Sequence, residues 1–137
     1  MSVPKHKRNE SSVQFLDTAA LLHLHTIKQV TKFPKKYTFY VSQPIARLAC
    51  DVLDNVKRAN SIFPSNSHEA QVRRDLFQAA RGSVQAMISE INNAKELFPI
   101  SGAALSEWMS LISYELDLLK RVMESDRKRF SKFDKES

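Results

Sequence analysis

The sequence predicts an all-α protein, an antiparallel up-down-up-down four-helix bundle, and three observations carry that prediction. Apolar residues between Phe77 and Phe98 recur at 77, 80, 84, 87, 91, 94 and 98, an unbroken alternation of three and four that buries one stripe of a long helix. Three further segments are amphipathic with helical spacing, and links of about four to six residues make each helix antiparallel to the one before it. Two glycines in 137 residues argue against a β-rich or loop-rich fold.

Residues 1–11 carry Lys5, Lys7, Arg8 and Glu10 with little to bury and read as a disordered basic N-terminus, ahead of a bundle over 12–124. The first helix is capped by Ser11 or Ser12, with Val13, Leu16, Ala20, His23, Ile27 and Val30 as its core column. Phe33-Pro34 breaks it. The second helix has the column Val41, Ile45, Leu48, Val52, Asn55 and Ala59, with Ala49 and Val56 beside it. Pro44 leaves two possible starts, at Ser42 or Gln43, or at Thr38 with a kink near Tyr40. The second is preferred because Phe39 and Val41 fit the stripe.

After Phe63-Pro64, Asn66 and Glu69 have capping-box spacing and start the third helix, which would span about 45 Å over roughly 30 residues. Gly82 inside it implies close approach of a neighbouring helix. Phe98-Pro99 ends that helix, and Ser101 caps the fourth, whose columns are Leu105, Trp108, Ile112, Glu115, Leu119 and Val122, with Met109, Leu116 and Met123 beside them. Residues 125–137 are charged and read as a frayed tail. The first and fourth helices are apolar over more of their circumference than a lone bundle buries, which predicts a homo-oligomer with Phe15, Leu22, Met109, Leu116 and Met123 at its interface.

Composition bounds the function. The single cysteine, Cys50, forms no intramolecular disulfide and reads as a small buried hydrophobe, and the chain as cytoplasmic. No apolar segment suggests export or membrane spanning. A formal net charge of +6 and a pI near 9.6 suggest attraction to a polyanion. His23 and His25, two apart, cannot share a metal from one helix face, and neither Glu-x-x-His nor HExxH is present, so no catalytic set, metal or cofactor is expected. His23 reads as an interior or interface histidine. Glu115, in a core column, reads as the partner of an arginine across the bundle or the subunit interface.

The basic residues are the candidate site. Arg74, Arg81 and Lys95 share one column of the third helix, with Arg73 adjacent, and Lys28, Lys32, Lys35 and Lys36 cluster at the end of the first. Arg58 is spaced to pair with Asp54, and Arg47 with Asp51.

Phe33-Pro34-Lys35-Lys36-Tyr37-Thr38, the segment Ile45-Ala46-Arg47 to Asn55-Val56, and Phe77-Gln78-Ala79-Ala80-Arg81-Gly82-Ser83 resemble the bacterial four-helix-bundle proteins of ribosomal RNA intervening sequences. That superfamily includes the accessory variability determinant (Avd) proteins of diversity-generating retroelements, and the resemblance covers roughly residues 15–123. Where the intervening-sequence group has Asn-Ile-Ala-Glu-Gly, this chain has Asn55-Val56-Lys57-Arg58-Ala59-Asn60, closer to the Avd branch. Gly82-Ser83 is closer to the intervening-sequence group, and the Gly-Gly-Trp expected near an Avd C-terminus is absent. The resemblance implies a homopentameric barrel. For the Avd branch it implies a non-enzymatic accessory factor binding reverse transcriptase and its template RNA in support of mutagenic cDNA synthesis. For the other branch it implies a scaffold or protein-interaction bundle without nucleic-acid binding.

Overall fold

The computed structural model describes residues 13–136; the N-terminal segment and the Ser11 or Ser12 cap lie outside the described residues. Among the described residues four α-helices make up the chain: α1 (Gln14–Val30), α2 (Gln43–Asn60), α3 (Ser67–Leu97) and α4 (Gly102–Arg129). Each packs on the next and α4 returns to α1, closing an all-helical bundle. Among the described residues there is no strand, and no helix is long and apolar enough to cross a membrane.

The long helix, α3, follows its sequence pattern. Phe77, Ala80, Val84, Met87, Ile91 and Ala94 are all buried, and Phe98 is half-buried where the helix ends. Asn66 caps it, its Oδ1 accepting from the Glu69 amide at 2.9 Å. The Glu69 carboxylate reaches one residue further back than a capping box requires, accepting from the backbone N–H and the hydroxyl of Ser65, both at 2.7 Å. These two bonds hold the Glu69 carboxyl below its ordinary pKa. Ser101 caps α4 in the same way, accepting from the Ala104 amide at 3.4 Å.

The face that α1 buries is not the one its most apolar column suggests. Phe15, Ala19, Leu22, Thr26, Gln29 and Val30 point into the bundle, while Ala20 and Ile27 are exposed and Leu16 and His23 half-buried. The polar member of the buried column explains the choice. Thr26 returns its hydroxyl proton to the Leu22 carbonyl at 2.7 Å and accepts the indole N–H of the fully buried Trp108 at 3.0 Å. A large ring whose one polar atom needs a partner therefore selects the side of α1 that offers a hydroxyl. Phe15 and Leu22 are consequently core residues and cannot meet another subunit. Met109 and Leu116 are half-buried against the same core.

Ahead of α2 the chain makes a 3₁₀ turn (Lys35–Tyr37) and then a π-helical turn (Thr38–Ser42). Pro44 is the cause, because it cannot donate to the Tyr40 carbonyl. The Gln43 N–H instead reaches back five residues to Thr38, widening the turn. The α-helix itself thus begins at Gln43 with Pro44 in its first turn, the first of the two starts and not the preferred one, and the π-helical turn from Thr38 leads into it with Val41 buried. Phe39 departs from the stripe and stands 74% exposed. Along α2 the buried residues are Ile45, Ala49, Val52, Val56 and Ala59, with Leu48 and Asn55 at the margin.

Three further expectations are corrected. Cys50 is exposed, its thiol 3.7 Å from an Asp54 oxygen; partial desolvation and then that carboxylate raise its pKa, so it is a poor nucleophile. The charged C-terminus is not frayed through 136: α4 continues to Arg129, and a 3₁₀ segment (Ser131–Glu136) follows in which Phe133 is buried. The expected close approach at Gly82 is missing, since a Cβ there would meet nothing within 4 Å.

Glu115 sits in the core with none of its side chain exposed, and neither carboxylate oxygen has a hydrogen-bond partner among the described residues. No arginine among them reaches it. Desolvation pushes its pKa up to about 9, so it is buried as the neutral acid.

Two stability measurements follow from these positions. Gly82→Ala fills open space on a helix and should raise the unfolding free energy by about 1 kcal/mol, read from urea unfolding, whereas a hidden close contact would make it destabilising. For Glu115 the folded-state pKa lies above the unfolded one. The folded chain therefore keeps a proton that the unfolded chain releases, and this group's contribution to stability is fully present below about pH 4.5 and is lost as pH rises toward 9. At about 1.4 kcal/mol per pH unit the decline by pH 7 is on the order of 3 kcal/mol. Glu115→Leu should recover about 2–4 kcal/mol at pH 7–8 and flatten the dependence between about pH 5 and pH 9. A variant with the wild-type pH slope would show that another group sets it.

Candidate nucleic-acid interface

The basic residues of α3 divide into two kinds according to which way the helix turns them. Arg73 faces inward and is 5% exposed. Its Nε donates to Asp126 Oδ2 at 2.7 Å and its Nη2 to Oδ1 at 3.3 Å, a two-pronged grip. Its Nη1 donates at 3.0 Å to the Ala59 carbonyl, which also accepts the Ile62 N–H, and at 3.1 Å to the Ile62 carbonyl just past the end of α2, and its guanidinium lies 5.0 Å from the centre of the Phe77 ring. Arg73 is thus a structural residue and not a contact for nucleic acid.

Arg74 and Arg81 face outward. The Arg73–Asp126 pair joins α3 to α4. On each helix two outward cations stand seven residues, two turns, apart: Arg74 and Arg81 on α3, Lys120 and Arg127 on α4. The four cations, with Gln78, Met123 and Glu124, line a groove of about 310 Å³ between the two helices. Arg74 donates to Gln71 at 3.0 Å, and among the described residues no ion pair neutralises Arg74, Arg81, Lys120 or Arg127. Glu124 is the one acid among the described residues that line the groove. Met123, expected at a subunit interface, also lines this groove.

Like charges facing like across a helix pair oppose folding, so the groove suits a ligand that brings negative charge. No family model, curated protein or solved structure matches this chain. What the groove can do is therefore read from its own geometry: four donors along two turns can follow successive phosphates of an extended backbone.

A larger cavity of about 670 Å³ opens at the same end of the bundle between α1, the Phe63-Pro64 turn and α4. Its arginines are already engaged, Arg121 by Asp117 and Arg73 and Arg129 by Asp126. It lacks the unneutralised charge of the smaller groove. Among the described residues no three histidine, cysteine, aspartate or glutamate side chains gather as a metal site. His25 is partly buried, its Nε2 3.1 Å from the Ala104 carbonyl and its ring edge-on to Trp108, so it is a packing residue that ties α1 to α4.

The other sequence candidates lie elsewhere. Lys95 is exposed two residues from the end of α3, about 21 Å along the helix from Arg81. Lys28, Lys32, Lys35 and Lys36 are exposed around the α1–α2 corner, at the opposite end from Arg74. Arg58 is exposed on α2 and makes no pair with Asp54, which takes the Cys50 thiol, and Arg47 makes none with Asp51. Lys120 and Arg127 join the site only in the structure. Their seven-residue spacing on the fourth helix matches that of Arg74 and Arg81 on the third, a signal visible in the sequence once the two helices are placed side by side.

Removing one side of the Arg73 clamp strands the other in the core. Arg73→Ala or Asp126→Ala should cost about 3–5 kcal/mol in chemical denaturation, and Arg73→Lys should recover only part of it because an ammonium cannot span two carboxylate oxygens and two carbonyls. Arg81→Ala should change stability by less than about 0.5 kcal/mol. Equal costs at 73 and 81 would contradict the division between inward and outward arginines.

Proposed function

We propose that this chain is a non-enzymatic nucleic-acid-binding bundle whose groove between α3 and α4 grips the phosphate backbone of an RNA. The observation that carries the reading is that Arg74, Arg81, Lys120 and Arg127 line one groove and that no ion pair with a described residue neutralises any of them. Following the resemblance to the Avd proteins, we propose further that the RNA is the template of a diversity-generating retroelement. The chain then serves that element's reverse transcriptase in the cytoplasm as an accessory factor in mutagenic cDNA synthesis.

Assembly into a ring would suit the same role. With Phe15 and Leu22 in the core, the large apolar residues that α1 leaves exposed are Leu21, Leu24 and Ile27. We assign the contact between copies to these residues, in the homopentameric ring that the resemblance implies. Cyclic repetition would multiply the groove around the ring and raise the avidity for a long strand.

Arg81→Ala with Arg127→Ala should weaken binding of a single-stranded RNA about 10- to 100-fold in fluorescence anisotropy. The slope of log K against log salt should become shallower by about 0.7 for each phosphate that the variant no longer neutralises. Arg121→Ala, with its charge already paired, should change neither. Light scattering at micromolar concentration should give a mass several times 15.7 kDa. An intact double variant that binds as the wild type would exclude the groove, and a monomeric mass would exclude the ring.

A further inference from the structure

The α1–α2 corner carries a second, different surface. Between Asp17 and Asp51 the chain has no acidic residue and five cations, Lys28, Lys32, Lys35, Lys36 and Arg47. None of them is in an ion pair with a described residue. On the same short stretch, Phe39 is 74% and Tyr40 82% exposed, although the aromatic residues just beside them are buried or half-buried.

The exposed rings stand on a rigid base. Beneath the corner Phe33 packs edge-on against Phe98 at 4.6 Å and Tyr37 stacks on Phe98 at 5.4 Å, with Trp108 behind Phe33 at 6.3 Å. The Thr38 hydroxyl closes the 3₁₀ turn onto the Lys35 carbonyl at 2.8 Å. The π-helical turn then carries Phe39 and Tyr40 as consecutive residues, outward from the bundle and one helical turn beyond Lys35 and Lys36. Such turns are concentrated at functional sites. Two adjacent exposed rings bring no packing benefit to the isolated chain, and uncompensated lysines around them repel one another.

We propose that Phe39 and Tyr40 form a base-stacking platform for a single-stranded nucleic acid, with Lys32, Lys35 and Lys36 holding the flanking phosphates. The proposal rests on the nucleic-acid reading of the α3–α4 groove and adds to it the form of the ligand. Phosphates alone do not distinguish a duplex from a single strand, whereas rings can stack only on bases that are already unstacked and unpaired. The charge of the corner favours this occupant over a second copy of the chain, which would bring the same lysines to the contact. The platform is two rings wide, too narrow for the broad apolar face with which a helix lies in a membrane surface.

The test uses the full chain and two labelled probes, a single-stranded oligouridylate and a double-stranded RNA of the same length. Phe39→Ala with Tyr40→Ala should weaken binding of the single strand about 10- to 1,000-fold, since stacking is worth about 1–3 kcal/mol per base. The salt slope should be unchanged because every phosphate keeps its cation, and duplex binding should be unchanged because its bases are not available. Phe39→Trp with Tyr40→Phe should retain single-strand affinity, and Lys35→Ala with Lys36→Ala should make the salt slope shallower. The proposal is overturned if the doubly alanine-substituted chain, with wild-type helicity and mass, binds the single strand undiminished or is weakened equally toward the duplex. It is also overturned if that variant falls in oligomeric mass, which would make the rings a subunit contact, or if it selectively fails to bind phosphatidylserine vesicles, which would make them a membrane contact. Arg81→Ala with Arg127→Ala should weaken both probes together, so the platform can fail while the groove stands, and the groove can fail while the platform stands.

Discussion

The buried Arg73–Asp126 pair is the constraint on which the end of the bundle at the Phe63-Pro64 turn depends. A guanidinium taken out of water is costly unless its donors are met, and here they are: two reach one carboxylate and a third nitrogen reaches two carbonyls. Because those acceptors belong to α4 and to the end of α2, one side chain on α3 ties three helices together. An apolar residue of similar volume could fill the space, but it would leave the Ala59 and Ile62 carbonyls without these partners and would tolerate a slip of α4 along α3.

The packing of α3 on α4 matters because it brings Arg74, Arg81, Lys120 and Arg127 to one groove. A displacement of α4 by one turn would carry Lys120, Glu124 and Arg127 along α3 and change which charges line that groove. The inward arginine and the outward cations are therefore parts of one arrangement, although their energetics are opposite. Arg73 stabilises the fold because its charge is met. The groove residues hold charge that the fold does not meet.

Much of the fold was legible because α3 and α2 each have one narrow apolar stripe, and a helix with one stripe has one way to face inward. Asn66 and Ser101 were legible for a similar reason, since a cap depends on local spacing alone. The face of α1 was not, because that helix has two apolar sides and the choice rests on a contact 82 residues distant, the Trp108 indole with the Thr26 hydroxyl. Arg73 was misassigned because arginines at neighbouring positions look alike in sequence, while a helix turns them about 100° apart, one into the core and one to solvent. Half of the groove was visible in the column of Arg74 and Arg81. Lys120 and Arg127 required the register, which is a tertiary property.

The chain uses the dipeptide Phe-Pro at all three of its helix connections, and the outcomes differ with what lies opposite. Phe33-Pro34 and Phe98-Pro99 fall at one end of the bundle, where their rings meet each other and Trp108. Phe63-Pro64 falls alone at the other end, and Phe63 is 86% exposed there. That end is closed by the arginine clamp instead. Apolar contacts keep their strength as salt rises, while partly exposed ion pairs such as Arg129 with Asp126 are weakened. The two ends therefore respond differently to ionic strength. The corner beneath Phe39 and Tyr40 keeps its shape through aromatic contacts that salt does not weaken, so the two exposed rings stand on a base whose geometry is independent of ionic strength.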